Sequence, residues 1–279
     1  TEYLFYNPLT SLDEDTHYNA YVEAIKHAGD KLMVIRTLDM GGDKFFEHLG
    51  GLYHEHNPFL GLRSIRLSFE RLDLFKPQLR AILRAAVKGN VCMIWPMISS
   101  LDELLKAKEI LEEVKADLES EGVEYCKNLQ TGIMVEVPSA VSIIDLLAKE
   151  VDFLSIGTND LVQYTLAVDR VNEHIADYYQ TAHPAILRMF KSVVEEGKIN
   201  QKRVNICGEM AGEPMYAPLL VGLGFRHLSM SPAFIPGVKK VIRSITLKES
   251  EEIAQKCLTL PHEKDINGYL QSRVRRYLT

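Results

Sequence analysis

The chain has 279 residues, 46% of them hydrophobic and 25% charged, which is enough apolar material for a large buried core and places it among globular chains rather than disordered ones. Its formal charge of −6, from 32 basic and 38 acidic residues, leaves no basic excess, so nucleic acid is not an expected partner. There is no apolar run long enough to span a bilayer and no signal-peptide pattern at Thr1, so a cytoplasmic protein without membrane insertion is expected, and Cys92, Cys126, Cys207 and Cys257, lacking CxxC or Cys/His metal spacing, fit a reducing compartment.

Along the chain, a short N-terminal piece spans 1–7, within which Tyr3 to Phe5 could be the end of a strand. A helical pattern near 16–28 precedes the apolar run from Lys31 to Ile35, which closes at Arg36. A long loop follows, holding Gly41-Gly42-Asp43, Gly50-Gly51, the stretch from His56 to Arg63 and the basic residues Lys44, Arg63 and Arg66; loops of this length in a compact domain are usually functional or disordered. A helix is expected over 70–87, then a strand over 91–97, and Ser100 with Glu103 has the spacing of a capping box opening a charged helix that stops at Gly122. Thr131 to Val135 reads as a strand ending at Glu136, with Pro138 blocking its continuation and a helix over 139–149. The apolar run Val151 to Ile156 is a buried strand that breaks at Gly157 into a polar segment, Thr158-Asn159-Asp160. Helices over 172–179 and 184–196, a strand over 203–206 running into Cys207-Gly208-Glu209, a helix from Pro214, a strand over 225–230 and a helix from Pro236 complete the repeat. Thr246 with Glu249 can cap the first of two tail helices, which Pro261 separates.

Strand, loop and helix at this regularity predict an α/β fold with parallel strands, either an open sheet or a closed (β/α)₈ TIM barrel. The barrel is favoured because Arg36, Glu136, Asn159, Asp160 and Cys207 all fall at or just after the C-terminal ends of strands, the face on which barrel sites are built. Six strands are convincing where a barrel needs eight, so the fold expected is a TIM barrel lacking its first strand or strands in this chain. Residues 1–246 form the barrel domain in this reading, and 247–279 are helices packed on it.

The residue types at those strand ends define a chemistry. Glu136 and Asp160 are hard oxygen donors that can share a magnesium ion while leaving coordination positions for a substrate; the alternative is two solvated loop carboxylates. Arg36, Arg63 and Arg170 offer planar forks for phosphate or carboxylate, or else are surface ion pairs. Cys207 is either a proton-exchanging thiol or a buried apolar cysteine.

Five segments carry a resemblance: RTLDMGGDK (36–44), NPFLGLRSIR (57–66), VEVP (135–138), SIGTNDLVQYTLAVDR (155–170) and CGEMAG (207–212). In this order, across nearly the whole chain, they resemble the C-terminal domain of the Enzyme I family, the phosphoenolpyruvate-protein phosphotransferases of the bacterial sugar phosphotransferase system. The resemblance implies a dimerising barrel that binds phosphoenolpyruvate and Mg2+. Glu136 and Asp160 would hold the metal, Arg36, Arg63, Asn159, Asp160 and Arg170 would bind substrate, and Cys207 would protonate the enolate carbon as pyruvate forms. In that family the phosphoryl group passes to a histidine on a separate N-terminal domain and then to the carrier HPr. The family's arginine before Thr-Glu-Tyr-Leu-Phe has no counterpart here, since Thr1 is first, so the chain by itself is not expected to complete turnover. Leu62, His56 and Val171 also depart from the family pattern, standing where a tryptophan, an acidic residue and a glycine are common. Two other readings share these motifs: the C-terminal domain of pyruvate phosphate dikinase or phosphoenolpyruvate synthase, and a non-catalytic dimerisation fragment.

Overall fold

A computed structural model describes residues 1–5, 13–41 and 55–278. Gly42-Asp43, Lys44, Gly50-Gly51 and His54 of the long loop lie outside the described residues, as do Tyr6 and Asn7. The chain divides into two compact units, Thr1–Ile133 and Met134–Thr279, and one strand runs across the division.

The first unit opens with α1 (Glu2–Phe5), a single helical turn where Tyr3 to Phe5 could be the end of a strand in the sequence. Leu4 N bonds back to Thr1 O, a contact between residues three apart that an extended chain cannot make. Next come α2 (Glu14–Ala28), whose N-cap Asp13 accepts from Thr16 N, and β1 (Met33–Arg36). The stretch read as a long loop holds a helix of its own, α3 (Ser64–Glu70), and the helix expected over 70–87 is α4 (Leu72–Ala85); Arg71 between them adopts a non-helical φ of −122° and ψ of 64°. Strand β2 (Val91–Trp95) is buried along its length and ends two residues earlier than expected, at Pro96 and a left-handed Met97 with φ 54°. Helix α5 (Leu101–Ser120) starts at Ser100, whose side chain accepts from Glu103 N. Glu103 does not return to Ser100 as in a full capping box; its carboxylate takes the amide and hydroxyl of Ser99 instead. Gly122, at φ 69°, follows the helix where glycine was expected to end it. Strand β3 (Gln130–Val135) carries the chain into the second unit. In the first unit β1 pairs with β2 and β2 with β3, all parallel, and the interior is filled by groups such as Phe75 and Trp95, packed edge to face at 5.9 Å.

The second unit repeats the pattern. Two short helices, α6 (Pro138–Ser142) and α7 (Ile144–Leu147), replace the single one expected, separated at Ile143. Then follow β4 (Phe153–Gly157), α8 (Thr158–Leu166), a 3₁₀ segment over Glu173–Tyr178, α9 (Pro184–Ile199) and β5 (Arg203–Cys207). After these are α10 (Glu209–Gly212), α11 (Ala217–Leu223), a two-residue β6 (His227–Leu228) and α12 (Ile235–Ser244). The tail is α13 (Leu247–Thr259), with a complete capping box from Thr246 and Glu249, and α14 (Glu263–Leu278). Strands β4, β5 and β6 pair in parallel, each with its successor in the chain. Consecutive parallel neighbours joined by helical crossovers are the order of a (β/α) barrel, whereas a doubly wound sheet reverses its order at a switch point. The α/β class expected from the repeat is the class observed.

Candidate functional site

In the first unit, the segment after β1 brings two of the arginines singled out there, Arg36 and Arg63, onto one carboxylate. Asp39, 5% exposed, sits between Arg36 and Arg63: its Oδ2 lies 2.9 Å from Arg36 Nη1 and its Oδ1 3.1 Å from Arg63 Nη2. Arg36 also reaches Glu2, at 3.1 Å. The geometry is set by the backbone, since Gly41 and Arg63 form an antiparallel bridge and Ser64 N bonds to Met40 O at 3.0 Å. Burial opposes charge on Asp39, yet the two guanidinium groups, with hydrogen bonds from Arg63 and Ser64, hold its carboxyl below the usual range. Arg36 is a third exposed and able to meet a ligand, while Arg63 is almost enclosed.

In the second unit the site is built at the ends of β3, β4 and β5. Glu136 follows β3 directly and is 2% exposed; its carboxylate lies over the Cα of Gly157, so close that a β-carbon there would stand 2.6 Å from Oε2. Glycine at the end of β4 is therefore what lets Glu136 lie across the strand end. The chain turns straight from Gly157 into α8, so Asn159 and the buried Asp160 occupy its first turn, where the unpaired amides of a helix favour negative charge nearby. Gly208, at φ 103°, lets the end of β5 come against Thr158 and Asn159. Thr158 Oγ1 donates to Cys207 O at 3.0 Å, and Glu209 N donates to Asn159 Oδ1 at 3.2 Å. That second bond fixes the amide of Asn159 and presents its NH₂ as a donor.

Cys207 is half-buried. Its thiol donates to Ile156 O at 3.3 Å and lies 3.5 Å from Met134 Sδ. Arg170 follows the left-handed residue Ala167, and its amide is held by Gln163 Oε1 at 3.1 Å. Tyr179 completes the group, its hydroxyl donating to Asn159 O at 3.1 Å. Burial pushes the Tyr179 hydroxyl up to about 12; Arg170 opposes this, while Glu209 and Asp160 add to it, so those three charged groups all bear on one phenol.

The structure thus joins Arg36 to Arg63 in the first unit, and gathers Glu136, Asn159, Asp160, Arg170 and Cys207 along neighbouring segments of the second. Sequence reasoning missed Asp39 and Tyr179. Asp39 lay inside a quoted motif, three residues after Arg36, but nothing local marked it as shared by two arginines. Tyr179 stood at the end of a stretch read only as helix. No group of three or more His, Cys, Asp or Glu side chains that could hold a metal ion forms among the described residues. No helix among them is long and apolar enough to cross a membrane.

Parallel strands in sequential order carry an acid, an Asn-Asp pair and a thiol at their C-terminal ends, the face on which sites of (β/α) barrels are built. Residues 1–247 match the family model described as PEP-utilising enzyme, PEP-binding domain, and the chain belongs to that family. It is 43% identical over 97% of its length to a phosphoenolpyruvate-protein phosphotransferase of Mycoplasma pneumoniae, covering 46% of that protein. It is 42% identical over 95% of its length to the Staphylococcus carnosus protein of the same name, again covering 46%. The chain therefore spans about half the length of these relatives. A solved citrate lyase from Burkholderia xenovorans overlaps 95% of the chain and 88% of its own, at 17% identity and a TM-score of 0.49, a likeness too loose to add to the fold or the chemistry.

Proposed function

We propose that the chain is the phosphoenolpyruvate-binding part of a phosphoenolpyruvate-protein phosphotransferase of a sugar phosphotransferase system, with residues 1–246 as the binding domain and 247–279 as helices packed on it. The observation that carries this reading is the grouping of a buried carboxylate, a helix-start Asn-Asp pair and a thiol at consecutive strand ends, in a chain of the PEP-binding family. Glu136 and Asp160 fit Mg2+, which takes one or two protein carboxylates and keeps its other positions for water and substrate oxygens. When bound, the ion would supply positive charge to the phosphoryl and enolate oxygens.

The chain's own groups supply the rest. Arg36, Arg63 and Arg170 would hold the phosphate and carboxylate of the substrate, with Asp39 fixing the first two in place. Asn159 would donate its NH₂ to a substrate oxygen. As the bond from phosphorus to the enol oxygen breaks, a bond forms from phosphorus to a histidine nitrogen of a separate N-terminal domain. The enolate left behind would take its proton at carbon from the Cys207 thiol, giving pyruvate. From the histidine, the phosphoryl group would pass to HPr. The working form would be a cytoplasmic homodimer.

Isothermal titration of the chain with phosphoenolpyruvate, with and without Mg2+, tests the reading. Saturable binding that strengthens with Mg2+, and loses that dependence in Glu136→Ala, is expected. Equal affinity for phosphoenolpyruvate in Glu136→Ala and the parent, with Mg2+ present, would remove the metal assignment.

A further inference from the structure

The candidate site in the second unit is tied to the last helix of the chain by a series of hydrogen bonds that its proposed chemistry does not use. Ala182 is fully buried, and its amide donates to Glu263 Oε1 at 2.9 Å. Thr181 Oγ1 lies 3.3 Å from Tyr216 OH, and that hydroxyl is 3.2 Å from Asn267 Oδ1. Glu263 and Asn267 are four residues apart, hence on one face of α14, the face that meets the 179–183 segment. The helix is itself anchored by Ile266, Leu270 and Val274, all fully buried, with Val274 packed in a cluster with Ala217, Val238 and Val241. Three residues before Ala182 stands Tyr179, whose hydroxyl holds the carbonyl of Asn159. A carbonyl has two lone pairs, so this bond can be made alongside the helical one.

We propose that α14 positions the substrate site: Glu263 and Asn267 fix the segment from Tyr179 to Ala182, and Tyr179 fixes the start of α8 that carries Asn159 and Asp160. These are positioning residues, and their consequence for binding rests on the reading of Asn159 and Asp160 given above. The helix lies beyond residue 247, where the match to the PEP-binding family ends, so the brace comes from outside the segment that defines the family. Loss of the Glu263 contact leaves a buried donor unpaired, and the structure relieves this by letting the segment move.

The test uses the intact chain and three substitutions. Glu263→Gln keeps an oxygen acceptor for Ala182 N, Glu263→Ala removes it, and Tyr216→Phe removes both hydroxyl bonds while keeping the buried ring. Amide hydrogen exchange read by mass spectrometry should rise in peptides covering 158–166 and 176–183 for Glu263→Ala and Tyr216→Phe, with β5 unchanged, while Glu263→Gln matches the parent. Affinity for phosphoenolpyruvate with Mg2+ should fall roughly fivefold in the same two variants and be restored in Glu263→Gln. Faster exchange confined to 263–278, or equal exchange in the Ala and Gln variants, would overturn the proposal. If the parent chain binds no phosphoenolpyruvate yet the exchange pattern holds, the brace stands and the substrate reading fails. If the parent binds and the variants match it in both readouts, the brace fails alone.

Discussion

Asp39 is enclosed by protein yet charged, and its two arginine partners are what make that tolerable. Replacing it with asparagine keeps the shape but leaves two guanidinium groups facing a neutral amide. Removing one member of a buried ion pair costs about 3 kcal/mol, so Asp39→Asn should lower the urea midpoint accordingly and weaken phosphoenolpyruvate binding, since Arg36 and Arg63 lose their common anchor. Equilibrium unfolding and titration calorimetry check the two effects separately. The carboxyl is held low in the folded state, so its contribution is present above the ordinary carboxylate range and disappears as pH falls below it. At this scale the sequence was informative about type and not about partners. Glu136, Asn159, Asp160 and Cys207 announced themselves as polar residues ending apolar runs, whereas Asp39 became meaningful only once Arg63, 24 positions away, was beside it.

Among the elements, helix starts were read well because caps are local. The box at Thr246 is complete, with Glu249 N donating to Thr246 Oγ1 at 3.2 Å and Thr246 N to Glu249 Oε2 at 3.1 Å. Thr246→Ala should destabilise α13 by about 1 kcal/mol, visible as a lower melting temperature with little change in substrate affinity, because the cap is exposed and touches none of the candidate site residues. Helix breaks were read less well. Ile143 interrupts what periodicity presents as a single helix, and it is neither a glycine nor a proline that would mark a break in advance, while α3 stands within what the sequence presents as a long loop. The turn Glu2–Phe5 was missed for a related reason, since four residues carry too little pattern to separate one helical turn from a strand end.

For the fold as a whole, pH acts through His17, which is 1% exposed and belongs to a polar chain within the first unit. Its ring is stacked on Tyr21 at 5.8 Å; Tyr21 OH accepts from Gln78 Nε2 at 3.2 Å, and Gln78 Oε1 accepts from Leu38 N at 3.1 Å, beside Asp39. Burial lowers His17 from 6.5 to about 4, with Asp13 opposing. Between those values the unfolded chain binds more protons, so this contribution is complete above pH 6.5 and is lost as pH falls toward 4, by up to about 3 kcal/mol. Urea unfolding at pH 7 and pH 5 should show a steeper loss in the parent than in His17→Phe; parallel losses would exclude His17 as the cause. The sequence by itself determined the α/β repeat, the chain positions of six strands and the residue types at their ends, because side-chain periodicity, glycine and proline punctuation and helix caps act over a few neighbours. Only the tertiary structure decided that Asp39 unites Arg36 with Arg63, that Gly157 and Gly208 make room for Glu136 and Asn159, and that α14 holds the segment carrying Tyr179. Apart from Arg36 and Asp39, three positions apart, those contacts join residues from 21 positions apart, for Gly157 and Glu136, to 81 apart, for Ala182 and Glu263, and burial and charge pairing at such separations leave no local trace in the chain.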